Sequence, residues 1–318
     1  MSRPRGRRIG IGAALIATLA GLALVPTLAR RDDVVNFVFI VLLSITLAES
    51  WNILGGYAGQ VNLGHAAFFG TGALVTRALW TAGANVVLAM LAGAAVAVLF
   101  GLAIGVPAFR LRGAYFAIGT LVLAEILRIT IGNLLPEIST LPTATINRYR
   151  LADRYYLALV LAAVAVASVA LLSRSRAGLG MRAVREDEDA AEASGVGALR
   201  LKLIALALST ALAGLAGGLF AYYHISYYPQ HPFAPHWTFD ALLITYIGGV
   251  GTLHGPVLGA VFYTFLTEYL AIHGVDFHLL IFGVLFMTIV LALPGGLVDL
   301  AGRGRRWMTH SSCPRQPP

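Results

Sequence analysis

The sequence predicts an all-α polytopic membrane protein of about ten transmembrane helices, with one helical loop on the cytoplasmic side. Three observations lead there. The 318 residues are 58% hydrophobic and only 12% charged, with a mean hydropathy of +0.78, whereas a soluble protein carries about a quarter charged residues. Ten apolar runs approach the ~20 residues that cross a hydrocarbon core, where the backbone must satisfy itself as helix. One 27-residue island, RSRAGLGMRAVREDEDAAEASGVGALR at 174–200, holds ten of the 38 charged side chains.

In chain order, residues 1–8 form a basic N-terminus and 9–29 the first span. A signal peptide ending near Leu28 and Ala29 is the alternative, but the apolar run is long for one. The second run, 34–54, leads into GGYAGQVNLGHAAFFGTGA at 55–73. Its glycines let backbones approach closely or let a helix break around a small ligand. Gln60, Asn62 and His65 place polar groups there, which need a partner or a pathway at membrane depth. Tight packing with locally satisfied amides is the competing reading. Runs at 65–82 and 84–106 follow, the former with glycines crowding its end, so that a broken or re-entrant segment stays open.

Arg110 and Arg112 open RLRGAYFAIGTLVLAEILR, the run at 114–132. Tyr115, Gly119, Val122 and Ile126 share one face at helical spacing. Glu125 lies toward the outer half, where a carboxylate costs about 2.5–3.5 kcal/mol at the helix centre. Pairing with Arg128, water or another subunit would relieve that. A span at 155–173 precedes the island.

Within the island Met181, Val184, Glu188, Ala191 and Gly195 fall three or four apart, predicting one short amphipathic helix with a small-residue stripe exposed. Arg182–Glu186 and Arg185–Asp189 are i,i+4 pairs that support it weakly, and Gly195 stops it. A solvated loop is the alternative, weakened by Ala190, Ala191 and Ala193. The run at 202–226 ends in YYHISYYPQHPFAPHW, an interfacial aromatic belt. His224, His231 and His236 match no standard metal-ligand spacing. Runs at 238–254, again glycine-rich and open to a break, 256–273 and 276–296 complete the set, with a tail at 297–318. GGVGTLHGPVLGA at 248–260 is a second glycine cluster, with His254 read as a helix-end residue. The two clusters fall at non-equivalent places in two halves of five spans, so no internal repeat is read.

Arginine asymmetry sets the orientation. With both termini inside, Arg3, Arg5, Arg7, Arg8, Arg110, Arg112, the six basic residues from Arg174 to Lys202, Arg303, Arg305, Arg306 and Arg315 are cytoplasmic, 16 of 23. Arg77 and Arg128 lie near outer helix ends, where they can snorkel. The lone cysteine, Cys313, permits no intrachain disulfide. Lys202 is the only lysine and no phosphate-binding loop precedes it, so the chain lacks a nucleotide site of that kind. No catalytic constellation, metal site or cofactor motif stands out, and nucleic acid is not an expected partner of so apolar a chain.

The motifs SWNILGGYAGQVNLGHAAFFGTGA, RLRGAYFAIGTLVLAEILR, SRAGLGMRAVREDEDAAEASGV, GGVGTLHGPVLGA and LPGGL, in that order from Leu47 to Leu297, resemble the permease subunits of branched-chain amino acid ABC importers, specifically the LivM-like member. The resemblance implies a transport subunit, not an enzyme, in the cytoplasmic (inner) cell membrane. It implies a second related permease, two cytoplasmic ATP-binding subunits and an extracytoplasmic binding protein as partners. It makes the island the coupling segment for an ATPase, with Ala190, Ala191 and Gly195 at small-residue positions beside Arg182, Arg185 and Glu188. It places Gln60, Asn62, His65, Tyr115 and Glu125 along the substrate pathway. Asn62 stands where the family usually has serine, and ITIGNLLPEISTLPTATINRYR lacks the family's Thr-Gly-Gly segment. The second departure, on the outer half, bears on the substrate and the binding-protein partner; urea, amides or another small polar solute compete with branched-chain amino acids. An ion-coupled transporter or channel using Glu49 and Glu125 is the rival of a different class, and it would not need the island.

Overall fold

The computed structural model describes residues 20–28, 31–141, 146, 149–272, 283–284, 287–288 and 295–299. Residues 20–28 are helical, and the Tyr155 hydroxyl donates to the Leu22 carbonyl at 2.6 Å. Helix α1 spans Asp32–Trp51, with Asp32 and Asp33 at the positive end of its dipole, and continues as a π-helical segment, Asn52–Tyr57. Next come α2 (His65–Thr81), α3 (Val86–Ala108), α4 (Ala114–Leu134) and α5 (Leu151–Arg174). Asn85 caps α3 by accepting from the Val87 amide at 2.9 Å. The island forms α6 (Arg176–Glu186) and α7 (Glu188–Ala193). They are followed by α8 (Ala198–Tyr223), α9 (His236–Gly248) and α10 (Gly255–Ile272).

Helix α8 is the hub, packed most extensively on α2, α3 and α1. Glycine makes that packing possible. A Cβ at Gly72 of α2 would overlap the Gly214 carbonyl of α8, and one at Gly217 would overlap the Phe69 carbonyl. Two backbones therefore touch where side chains would hold them apart, which suits membrane helices driven together by dispersion and not by water.

Five described segments are long and apolar enough to cross a membrane: Asp32–Tyr57, Val86–Ala108, Ala114–Leu134, Leu151–Arg174 and Ala198–Tyr223. The expected runs at 9–29 and 276–296 lie largely outside the described residues. The expected span at 238–254 is corrected. Helix α9 has 13 residues, about 20 Å at 1.5 Å per residue against a core of about 30 Å. It stops where Gly249 and Gly251 adopt φ of 131° and 73°, conformations only glycine tolerates. Helix α2, at 17 residues, is also short and follows a non-helical stretch at 58–64.

Two further expectations change. The island is two helices, because Asp187 leaves helical geometry (φ −157°) and its carboxylate caps α7, accepting from the Ala190 amide at 3.0 Å. Arg77 does not snorkel. It is 2% exposed and its guanidinium brackets the end of the bundle remote from the island. Nη1 donates to the carbonyls of Ala221 (3.3 Å) and His224 (2.9 Å), just beyond the far end of α8 or at its last turn. Nη2 donates to the carbonyls of Ser139 (2.6 Å) and Ile225 (2.8 Å), and Nε to the Ser139 hydroxyl (3.3 Å). Those carbonyls flank a two-residue antiparallel pair, β1 (Ser139–Thr140) with β2 (Ser226–Tyr227). Nearby Arg154, also 2% exposed, lies between the rings of Tyr149 and Tyr222, 3.6 and 4.1 Å from their centroids.

Candidate functional site

The two glycine clusters, far apart in sequence, meet in space. Asn52 opens the π-helical segment and its amide joins the two breaks. Oδ1 accepts from the Gly251 amide at 2.9 Å, while Nδ2 donates to the Thr252 carbonyl at 3.0 Å and to Glu49 Oε2 at 3.2 Å. Gly56 lies against this joint: a Cβ there would overlap Asn52 Oδ1 and crowd the Gly251 nitrogen. π-Helical turns inside α-helices recur at functional sites, and here the turn ends a membrane-length helix against a second interrupted one. Asn52 and Glu49 are both fully buried. The Glu49 Oε1 atom has no hydrogen-bond partner among the described residues.

The island rests on this junction. Met181 is fully buried and Val184 nearly so, and from the same face of α6 Arg185 extends inward to donate from Nη1 to the Gly56 carbonyl at 2.5 Å. Arg182 lies over the Tyr57 ring at 5.0 Å. The expected pairs Arg182–Glu186 and Arg185–Asp189 are not among the ion pairs of the described residues. Glu188 accepts instead from Lys202 of α8 at 2.5 Å, and Asp189 faces the exposed Arg112.

The island's small-residue stripe also points differently from the expectation. Ala191 is only 6% exposed and packs with Val184 and Ala198 of this chain. The exposed small residues include Ala190, Ala193 and Gly195. Gly195 does end the helix as expected, at φ 84°, with the Val196 amide returning to the Ala191 carbonyl at 3.0 Å.

Of the five expected pathway residues, three share one loop. Gln60 is half-buried and donates to the Ala58 carbonyl at 3.3 Å. Asn62 Oδ1 accepts from the Gly64 amide at 2.8 Å, and the Asn62 carbonyl accepts from Trp51 Nε1 at 2.9 Å. His65 is fully buried, its Nε2 2.7 Å from the Ser50 hydroxyl. That hydroxyl donates to the Leu47 carbonyl, which makes His65 Nε2 the donor to Ser50. Asn62 and His65 thus make local hydrogen bonds, while the buried His65 Nδ1 has no hydrogen-bond partner among the described residues.

Tyr115 and Glu125 are not brought to them. Helix α4 meets the loop through Thr120, whose hydroxyl accepts from the Leu63 amide at 3.1 Å. Its opposite face, with Tyr115, Ile118, Val122 and Ile126, is exposed. Glu125 borders that face, paired with Arg128 (Nε to Oε2, 2.9 Å).

At the end remote from the island, a cleft of about 380 Å³ opens beside Arg77, Glu137 and Tyr227. Arg77 offers it no free donor, since all five of its N–H groups are used. His231 stacks parallel to Phe220 at 5.8 Å, and burial pushes both the His224 and His231 imidazoles below the ordinary histidine range. These rings serve aromatic packing.

Sequence reasoning missed Asn52, Gly251 and the inward role of Arg185. The two glycine clusters were the available signal, but nothing local says that they touch.

The family model for the branched-chain amino acid transport system, permease component, matches residues 33–290, which includes the junction and the whole island. The chain belongs to that family. That family comprises permease components of transport systems, which makes this chain a membrane transport subunit. No curated protein and no solved structure matches it individually.

Proposed function

We propose that the permease is the LivM-like subunit of an ATP-driven importer of branched-chain or related small amino acids. It works beside a second permease chain, with two cytoplasmic ATP-binding subunits and an extracytoplasmic binding protein. The observation that carries this reading is the island's two-sidedness. Its inner face is seated on the junction of the two interrupted helices, while its outer face exposes the small residues Ala190, Ala193 and Gly195 beside Glu186, Asp189 and Glu192. A groove on an ATPase can receive that outer face at close range, and its movement then reaches the helix breaks, giving alternating access. Ala191, Arg185 and Glu188 leave the docking surface on this reading, because each is engaged by its own chain; Arg182 stays at the rim.

The substrate pathway then runs between the two permease chains. The exposed face of α4, with Tyr115, Val122 and Ile126 and the bordering Glu125–Arg128 pair, lines or approaches it. An ion pair is more cheaply placed against protein or a water-filled cavity than against lipid. The glycine-rich loop with Gln60 reaches the pathway from behind α4. Arginine asymmetry places the island and both termini in the cytoplasm.

Reconstitution tests the reading. Proteoliposomes holding both permeases and the ATPase subunits, supplied with binding protein, should take up leucine only with ATP. Uptake driven by an ion gradient without ATPase subunits would hand the function to the rival transporter built on Glu49 and Glu125. Reporter fusions after Arg150 and Gln230 should read outside, and one after Arg176 inside. An outside signal at Arg176 would sink the orientation.

A further inference from the structure

We infer that Arg185 is the positioning residue through which movement of the island reaches both helix breaks at once. This rests on the proposed ATP-driven reading and adds the route of transmission inside the chain.

Three observations converge on that side chain. Its Nη1 donates to the Gly56 carbonyl at 2.5 Å, in the last turn of the π-helical segment, where carbonyls lack a donor from their own helix. A Cβ at Gly251 would overlap the same Nη1, so the glycine loop after α9 is shaped around the guanidinium. A Cβ at Gly59 would come within 2.8 Å of Arg185 Cγ, so the loop after the π-helical segment is shaped around its stem. One side chain from α6 therefore touches both interrupted helices, at backbone positions that only glycine leaves open. Asn52 binds those same two backbones to each other, through the Gly251 amide and the Thr252 carbonyl. A shift of α6 cannot leave the Gly56 carbonyl behind without losing a charge-assisted hydrogen bond, nor move it without moving the 249–254 loop.

The attachment is also economical in a mechanical sense. Arg185 makes this one hydrogen bond and has no acidic partner among the described residues, so it can tilt with α6 while its tip keeps contact. The other fastening of the island, Glu188 to Lys202, runs to α8 and not to the breaks. It holds the island to the hub. Arg182 reaches only the Tyr57 ring at the end of the π-helical segment, whereas Arg185 meets backbone of both breaks.

The test uses the full complex in proteoliposomes, comparing wild type, Arg185→Met and Arg185→Lys. Methionine fills the channel without a donor; lysine restores one. With Arg185→Met the ATPase subunits should still co-purify, while leucine uptake per ATP hydrolysed falls about tenfold, the equivalent of one hydrogen bond to a charged group. Arg185→Lys should recover a substantial part of that ratio, which a merely space-filling role would not require. Wild-type coupling in Arg185→Met overturns the assignment. So does loss of ATPase association in that variant, which would return Arg185 to the docking surface. If the methionine variant fails to accumulate, hydrogen exchange on the wild-type complex decides. Trapping the ATPases closed with vanadate should change protection at 56–60 and 249–254 together, and a change confined to 176–193 overturns the proposal. Wild-type uptake that does not need ATP removes the importer reading itself, and with it this one.

Discussion

Arg77 and Arg185 both direct a guanidinium onto backbone carbonyl oxygen, at opposite ends of the bundle, but Arg77 is buried and Arg185 is exposed. Arg77 spends five N–H groups on five acceptors drawn from two other stretches of chain. Arg185 makes a single described hydrogen bond, through a notch walled by glycines. The saturated arginine is a bracket: moving any of its partners breaks several bonds. The singly bonded one is a joint, because one contact can follow a moving partner. Rigidity at the far end and compliance at the island end are what a lever needs, with α8 running between them.

The largest expected effect breaks the bracket. Arg77→Met should strip the donor from four carbonyl groups, and the buried one of Ala221 alone costs about 1–3 kcal/mol when left unsatisfied. The permease should accumulate poorly and melt markedly earlier in detergent. Arg77→Lys should rescue little, since an ammonium cannot reproduce the planar fork. Full abundance and an unchanged melting temperature in either variant would contradict the division into bracket and joint.

Next in size is a pair of neighbouring substitutions on the joint side. Ala191→Arg drives a charge into the contact with Val184 and Ala198, at a cost of roughly 3 kcal/mol or more if it stays unpaired. It should detach the island from its own chain, read as proteolytic cleavage within 174–200. Ala190→Arg, one residue earlier and exposed, should leave that protease resistance intact while abolishing ATPase co-purification. Identical behaviour of the two variants would mean that the island has no inner and outer face.

Smaller again is Lys202→Met, which removes the ammonium beneath Glu188 while keeping much of the side-chain volume. Because the Glu188 side chain is 26% exposed and can turn to water, the loss should stay near 1 kcal/mol. Thermal stability of the isolated permease measures it, and a drop as large as that of Arg77→Met would move the bracket to the island end. The smallest effect is Asp187→Ala. Losing the cap of α7 costs about 1 kcal/mol or less at so short a helix. It should show as faster amide exchange at Ala190, with membrane abundance unaltered.

Much was legible before any coordinates. Apolar runs near 20 residues determined helices, because lipid leaves the backbone no other partner. The Glu125–Arg128 pair followed from helical spacing alone. Gly195 ended its helix because a positive φ is cheap only for glycine. Each of these is a local property, carried by residues within one or two turns of each other.

What the tertiary structure decided is which face of each element is inside. The island stripe of Met181, Val184 and Ala191 reads identically in sequence whether it faces a partner or its own bundle, and it faces its own bundle. Arg77 reads as a snorkelling outer residue until the carbonyls of Ser139, His224 and Ile225, from two other segments, close around it. Asn52 carries no motif, yet it joins residues about 200 positions apart because two interrupted helices cross there. Periodicity reports that a helix has a small or apolar face; only long-range packing supplies what covers it.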